Sequence, residues 1–360
     1  MLTDRLAFAN FRTLTRRRGS LALYLALCSL LLGVCSNAFA QSVATFDAPG
    51  ATSTIALSVN QIGTITGEYL DGSSVWHGFL RAPDGAFTTF EAPGAGTAYG
   101  QGTHGLSINQ SGAITGYYKD ASEVSHGFLR AADGAITSFD TPIALSSRRG
   151  TSGRSINLSG AITGYSFDAN FLGHGFVRTP DGAITTFDVP GATQTFGWSI
   201  NQRGEIAGYY EASDAIHGFL RPPDGSITTF DVSGAQSTRP FSINQRGEIT
   251  GFYEGPSVNG HGFLRAADGT ITTFNPPSAN EGVAASINQR GEITGTYVDL
   301  SGMAHGFLRA PNGAFTTFEA PGATFTTPVS INQTGAVTGY YVDTNGVQHG
   351  FVRVRRARSK

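Results

Sequence analysis

The sequence predicts an all-β fold assembled from one repeated unit, and three observations support this. The motif His-Gly-Phe-[Leu/Val]-Arg occurs seven times, starting at His77, His126, His174, His217, His261, His305 and His349. A Ser-[Ile/Val]-Asn triplet also occurs seven times, at intervals of 43 to 49 residues. The segments between these motifs alternate apolar and polar residues and are bounded by turn residues, as β-strands are. A fixed period of this length is typical of repeat architectures.

Each repeat predicts four short strands, which we name A to D. Strand A ends in the Ser-Ile-Asn triplet, B is an [Ile/Val]-x-Gly segment, C is the His-Gly-Phe motif, and D ends in Thr-Thr-Phe or a close variant. Asn-Gln-x-Gly commonly separates A from B, and Asp-Gly or Asn-Gly separates C from D; both are hairpin signals. Four antiparallel strands in about 44 residues match one blade of a β-propeller. Seven copies predict a seven-bladed β-propeller of four-stranded blades.

An offset strand indicates how the ring closes. Six D strands follow a His-Gly-Phe motif, whereas the seventh, within Val43–Asp47, precedes all the others. The last C strand, His349–Arg353, has no D strand after it. The N-terminal strand would therefore complete the last blade and remove the open edges of the sheet. A β-solenoid, the alternative architecture, would leave this strand unexplained and would need terminal caps.

Residues 1–40 read as a cleaved secretory signal peptide. Arg16, Arg17 and Arg18 precede an apolar run that ends at Cys35, and Ala38-Phe39-Ala40 forms an A-x-A cleavage site before Gln41. The remaining chain is expected to form a single propeller domain over 41–354, followed by a basic tail over 355–360. We expect a periplasmic or extracellular protein without a transmembrane segment after cleavage.

The composition of the mature chain excludes several classes of function. Both cysteines, Cys28 and Cys35, lie in the signal segment, so disulfides, thiolate metal sites and a cysteine nucleophile are not expected. Removing residues 1–40 leaves 19 basic and 25 acidic residues, a net charge of −6. An acidic domain argues against a nucleic-acid partner. We expect a monomer without a cofactor.

The repeat resembles the bacterial HAF-type extracellular repeat family. The resemblance rests on Ile-Asn-x-x-Gly, a variable loop, then His-small-Phe and an acidic-Gly turn, and it covers roughly 44–353. This chain differs in having His-Gly-Phe, and Thr-Thr-Phe-Asp in place of an Asp-Leu-Gly-like segment. The resemblance implies an exported, β-rich repeat protein and carries no established activity.

The repeated polar residues predict packing rather than catalysis. The seven histidines could form a metal-binding ring, but pseudo-symmetry keeps equivalent residues apart, so we expect each to bond a nearby turn or blade. The repeated arginine, such as Arg81, is expected to pack its stem and pair its head with a nearby Asp or Glu. The Ser and His of the motifs recur in every copy, unlike a catalytic triad, and neither G-x-S-x-G nor HExxH occurs.

Two longer D–A connections suggest a binding site. The first two Ser-Ile-Asn intervals are 49 and 48 residues, against 43 or 44 for the others. The extra residues fall near 96–104 and 146–154, on loops expected to rim one end of the channel. Repeat proteins often place variation on the binding face, although neutral insertions are also tolerated. The predicted ligand-binding residues, for an anionic or sugar-like ligand, are Tyr99, His104, Arg148, Arg149 and Arg154.

These observations favour an exported binding or interaction module for a glycan, an anionic polymer or a protein. One alternative is a polysaccharide hydrolase or lyase on a propeller scaffold, which a carboxylate pair at hydrolytic spacing would favour. Another is a purely structural surface protein, which would self-associate.

Overall fold

The computed structural model describes residues 42–144, 149–213, 215–256 and 258–355, and no α-helix occurs among them. The described residues form 28 strands: β1 (Ser42–Phe46), β2 (Ser53–Val59), β3 (Ile65–Leu70), β4 (Trp76–Arg81), β5 (Phe87–Phe90), β6 (Gly102–Ile108), β7 (Ile114–Lys119), β8 (Ser125–Arg130), β9 (Ile136–Phe139), β10 (Thr151–Ile156), β11 (Ile162–Phe167), β12 (Gly173–Arg178), β13 (Ile184–Phe187), β14 (Gln194–Ile200), β15 (Ile206–Ala212), β16 (Ala215–Arg221), β17 (Thr228–Phe230), β18 (Ser237–Ile243), β19 (Ile249–Gly255), β20 (Val258–Arg265), β21 (Ile271–Phe274), β22 (Ala279–Ile287), β23 (Ile293–Asp299), β24 (Ala304–Arg309), β25 (Phe315–Phe318), β26 (Phe325–Ile331), β27 (Val337–Val342) and β28 (Gln348–Val354).

The strands pair as antiparallel groups of four in the order A, B, C, D, and we call each group a blade. Blade 1 is β2–β5, blade 2 is β6–β9, and blades 3 to 6 continue in the same way to β25. Blade 7 combines β26–β28 with β1, whose residues Ser42 and Phe46 pair with Val354 and Gly350. The β-propeller class and its completion by the N-terminal strand are confirmed.

The hairpin turns form as the sequence predicts. Gly63 in the first A–B turn has φ of 89°, and Gly85 in the first C–D turn has φ of 97°, both in the region that favours glycine. The carboxylate of Asp84 accepts the amide of Ala86 at 3.0 Å, and the side chain of Asn60 accepts the amide of Thr64 at 2.9 Å. These local bonds satisfy turn amides and set the register of each hairpin.

The A strands form a closed inner ring, in which each A strand contacts those of both neighbouring blades and β2 contacts β26. The asparagine of each Ser-Ile-Asn triplet donates its side-chain amide to the backbone carbonyl of the next asparagine. Asn332 of blade 7 closes this circle by donating to Asn60 of blade 1 at 2.9 Å. The members of this asparagine ring are Asn60, Asn109, Asn157, Asn201, Asn244, Asn288 and Asn332.

The phenylalanine of strand C anchors the interior of each blade. Phe79 is fully buried, as are its six equivalents to within 1%. Gly67 of strand B lies opposite Phe79, and a Cβ there would lie 2.9 Å from the ring and 2.0 Å from the carbonyl oxygen of Ile55. Strand B therefore requires glycine at this position.

The arginine that ends strand C packs between blades. The guanidinium of Arg81 lies 4.7 Å from the ring centroid of Phe46, which belongs to the preceding blade, and it donates to the carbonyl of Ala82 at 3.4 Å. Burial lowers the pKa of Arg81, and the attraction of Asp84 partly opposes this. The expected acidic residue, Asp84, is thus near enough to attract the guanidinium, but the ring of Phe46, which ring closure brings over it, makes the contact.

Candidate functional site

The B–C loops and the D–A connections lie together at one end of the propeller, which we call the loop face. The amide of Gly100, in the connection that leads to blade 2, donates to the carbonyl of Ser74 in the B–C loop of blade 1 at 2.8 Å. The hydroxyl of Thr52 donates to the carbonyls of Leu70 and Asp71, each at 3.1 Å. The two kinds of loop therefore share one face, as the sequence predicts. The A–B and C–D turns form the opposite turn face.

The histidine of strand C ties the B–C loop to the end of strand D. In blade 2, Nδ1 of His126 lies 2.8 Å from Asp140, and Nε2 lies 3.5 Å from Asp120 of the B–C loop. Its ring stacks on Tyr118 with centroids 5.0 Å apart. Two carboxylates flank the ring in the same way at His77, His174, His305 and His349. These rings have the turn-bonding role expected of them, and no metal-binding group of three side chains was found among the described residues.

Tyr99 and Arg149 lie on the loop face, in the two long connections. Tyr99 is 82% exposed. The guanidinium of Arg149 lies 5.0 Å from the ring centroid of Phe167 and 5.7 Å from that of Phe171, a B–C loop residue that is 51% exposed. Arg148 lies outside the described residues. The loop face therefore carries an exposed ring in the first long connection and, at the second, a cation beside the exposed ring of Phe171.

His104 and Arg154 do not lie in the connections, which corrects the placement predicted from the sequence. His104 belongs to β6 and Arg154 to β10, both innermost strands. The reason is that the residue before His104 is already part of the strand framework: the hydroxyl of Thr103 accepts the amide of Ala92 at 3.0 Å. The extra residues of the first connection are absorbed earlier, before Gly102.

His104 is 1% exposed and forms a buried pair with a carboxylate of the preceding blade. Its Nδ1 lies 2.7 Å from Oε2 of Glu68, and its ring stacks on Tyr117 at 4.4 Å. Among the described residues, its Nε2 has no hydrogen-bond partner. A carboxylate thus orients one ring nitrogen, while the other is enclosed by the protein.

Arg154 begins a strip of aromatic side chains across blades 3 to 5. Its guanidinium lies 4.0 Å from the ring centroid of Trp198 and 6.0 Å from that of Tyr165. Trp198 lies 5.3 Å from Phe241, which in turn lies 5.3 Å from Phe252. The sequence analysis found Arg154 but missed these aromatic neighbours.

One position of strand A holds a different residue type in each of the seven blades, and we call it the variable position. It is the third residue before the serine of the Ser-Ile-Asn triplet, and it contacts strand B of the preceding blade in the pairs His104–Glu68, Phe196–Tyr165 and Arg239–Tyr209. Aligning the repeats on that serine would have shown this variation within an otherwise regular framework. The residues at the variable position are Ile55, His104, Ser152, Phe196, Arg239, Val283 and Thr327.

Arg239 is held between two aromatic rings from neighbouring blades. Its guanidinium lies 5.9 Å from the ring centroid of Tyr209 in blade 4 and 5.5 Å from that of Phe252 in blade 5. The side chain is partly buried, and its Nε has no hydrogen-bond partner among the described residues.

The sequence matches no protein-family model and no curated protein. Among solved structures, the chain is similar to a catalytically inactive variant of virginiamycin B lyase from Staphylococcus aureus with quinupristin, with a TM-score of 0.59, 13% identity, and coverage of 87% of this chain and 99% of that chain. It is also similar to the β-propeller domain of the trilobed protease from Pyrococcus furiosus (TM-score 0.56, 9% identity, 83% and 95% covered) and to the β-propeller domain of Cps50 from Myceliophteria thermophila (0.54, 9%, 87% and 99%). At these identities the likeness shows the fold alone.

A helix long and apolar enough to cross a membrane is absent from the part of the chain that the structure describes.

Proposed function

We propose that the protein is an exported binding module that recognises a glycan or an anionic polymer on its loop face. The observation that carries the proposal is the presence of exposed rings and a cation on this face: Tyr99 and Phe171 are more than half exposed, and Arg149 lies over Phe171. Exposed aromatic rings offer flat apolar surfaces to sugar rings, and arginine recognises carboxylates and other anions. Arg148, the residue before Arg149 in the chain, stays a prediction from the sequence.

Two features of the sequence support export and a ligand other than nucleic acid. The first 40 residues have the three regions of a signal peptide and lie outside the described residues. The remaining chain carries a net charge of −6, which opposes nonspecific binding to nucleic acid. The resemblance to exported HAF-type repeats is consistent with this proposal. Amino-terminal sequencing of the protein from the extracytoplasmic fraction should begin at Gln41, and a mature protein that retained residues 1–40 would contradict export by cleavage.

A thermal-shift screen of residues 41–360 against neutral glycans, acidic glycans and synthetic polyanions tests the binding proposal. A ligand at about 100 times its dissociation constant stabilises the folded state by about 2.7 kcal/mol, which raises the midpoint by several degrees. The triple variant Tyr99→Ala, Arg149→Ala and Phe171→Ala should lose the shift. Ile62→Ala is the matched control, because Ile62 is 70% exposed in an A–B turn of the turn face. A shift that survives the triple variant would place binding elsewhere.

A second candidate function, a polysaccharide lyase or hydrolase, is favoured by the His104–Glu68 pair. A histidine oriented by a carboxylate, with its second nitrogen unpartnered, is the arrangement of a general base, and because His104 is 1% exposed a substrate would have to uncover it. Product assays for new reducing ends and for unsaturated sugars would detect either reaction. His104→Gln should abolish a genuine activity, whereas His126→Gln, which changes a loop-tying histidine, should retain it. Chain cleavage that persists in His104→Gln would exclude this residue as the base.

A further inference from the structure

We propose that Arg239 is the anion-recognition residue of a ligand site between blades 4 and 5, and that the ligand carries a carboxylate on a sugar ring. This inference rests on the proposed function, because it names the class of ligand that the binding module would recognise. The start of β18 adjoins the loop face. Arg239 is the third residue of β18 and lies at the variable position.

A comparison between two blade interfaces indicates that an anion completes the site. His104 and Arg239 occupy the same position of strand A, and each faces strand B of the preceding blade. Glu68 supplies a carboxylate 2.7 Å from His104. At the equivalent place opposite Arg239, the chain has Tyr209 instead. The fold therefore provides a carboxylate for His104 and an aromatic ring for Arg239.

The surroundings of Arg239 offer its guanidinium aromatic rings rather than carboxylates. A guanidinium has five N–H donors, and a charge removed from water is costly unless it is paired and hydrogen-bonded. No acidic side chain of the described ranges forms an ion pair with Arg239, and its buried Nε lacks an acceptor there. The rings of Tyr209 and Phe252 make cation–π contacts with the guanidinium, and the side chain is only partly buried. An anionic ligand would supply the missing acceptors.

The aromatic side chains beside Arg239 define the rest of the ligand. Tyr209 lies 5.6 Å from Trp198, and Trp198 carries the guanidinium of Arg154 on its ring at 4.0 Å. Two arginines are thus joined by a continuous pair of rings. Arginine binds carboxylates through two parallel hydrogen bonds, and the partly exposed ring of Tyr209 offers an apolar face beside Arg239, whereas Trp198 is buried. A sugar that carries a carboxylate fits this arrangement, because the carboxylate would bind Arg239 and the sugar ring would contact Tyr209, a contact that an inorganic anion lacks.

Calorimetric titration of residues 41–360 with oligogalacturonate, and with its methyl ester as the neutral match, tests the proposal. Wild-type protein should bind the acid and not the ester. Arg239→Met should weaken binding by about tenfold or more, the loss expected for a hydrogen bond to a charged group, and Arg239→Lys should weaken it less. Arg203→Met is the control, because Arg203 pairs with Glu205 at 2.7 Å on the turn face. It should bind like wild type.

Tyr209→Glu and its neutral match Tyr209→Gln separate the charge from the ring. Both lose the contacts of the ring with Phe196 and Trp198 and should lower the thermal midpoint alike, whereas only the Glu variant places a carboxylate beside Arg239, as Glu68 lies beside His104, and should lose the remaining affinity for the acid. Equal binding of acid and ester, or unchanged affinity in both Arg239→Met and Tyr209→Glu, would overturn the assignment of Arg239. If wild type binds no acidic oligosaccharide but shifts with a neutral glycan, this inference fails and the binding function stands. If it binds no glycan or polyanion, both fail.

Discussion

Removing the side chain of Phe46 should destabilise the whole propeller as much as removing an equivalent side chain from the middle of the chain. Phe46 lies in β1, only five residues after the predicted cleavage site, so an unclosed ring would leave it on a frayed end. In the structure it is 9% exposed and packs edge-on against Phe79 of blade 1 at 6.4 Å, with Arg81 over its ring. Its environment is therefore that of an interior residue.

The magnitude follows from this burial. Replacing a buried phenylalanine by alanine costs about 3–5 kcal/mol through lost transfer energy and the cavity left behind. With an unfolding entropy of about 2.1 cal/mol/K per residue over roughly 310 residues, 1 kcal/mol corresponds to about 1.5 °C, so Phe46→Ala should lower the midpoint by about 5–8 °C.

Phe90→Ala is the matched control within the chain. Phe90 is 8% exposed, packs edge-on against Phe128 at 6.0 Å and lies under Arg130, so it repeats the surroundings of Phe46 away from the terminus. Thermal unfolding of residues 41–360 followed by circular dichroism should give similar losses for both variants. A loss for Phe46→Ala below about a third of that for Phe90→Ala would show that β1 does not close the ring, and would refute the reasoning.

Three further predictions concern the ring, the loops and the strand glycines. Asn332→Ala removes the bond to Asn60 and leaves turn amides without their acceptor, so the free energy of unfolding should fall by about 2 kcal/mol or more in urea titrations. The pKa of Asp343 is lowered mainly by the hydrogen bond that its carboxylate accepts from the amide of Val347. This bond stabilises the folded state fully above the pKa of the unfolded chain, near 4, and the stabilisation is lost as the pH falls below that value. At pH values below about 4 the thermal midpoint should therefore decrease, and the decrease should be less steep in Asp343→Asn. Gly116→Ala should be among the most damaging single changes by yield and midpoint, because its Cβ would lie 1.9 Å from the carbonyl oxygen of His104. A wild-type midpoint in Gly116→Ala would contradict the close approach of these strands.

The fold was predictable because each residue that the blade requires occurs at the same position in seven repeats. Asn60 and its equivalents form one ring, and Gly63 and its equivalents form the same turn, so a pattern that is weak in one copy is convincing in the array. The N-terminal strand around Phe46, which precedes the other D strands in the sequence, predicted how the ring closes. The contact of Arg81 with Phe46 was missed because Asp84 is near in sequence, whereas only closure of the ring brings Phe46 into place.

The candidate site was predictable only in part, because insertions show where length varies but not where a strand begins. Tyr99 and Arg149 lie on the loop face as expected. His104 and Arg154 lie in inner strands, since Gly102 and Thr151 already belong to the ladders. Arg239 was missed because its proposed role depends on its contact with Tyr209, which lies about 30 residues earlier in another blade. Neither residue is unusual in a β-strand.

Hydrogen–deuterium exchange of residues 41–360, with and without the strongest ligand from the thermal-shift screen, tests the central claim most directly. The claim is that the loop face binds the ligand. Exchange should slow in peptides that cover the connection around Tyr99, the B–C loop around Phe171 and the start of β18, while peptides of the A–B turns keep their rates. Protection confined to the A–B and C–D turns would contradict the claim.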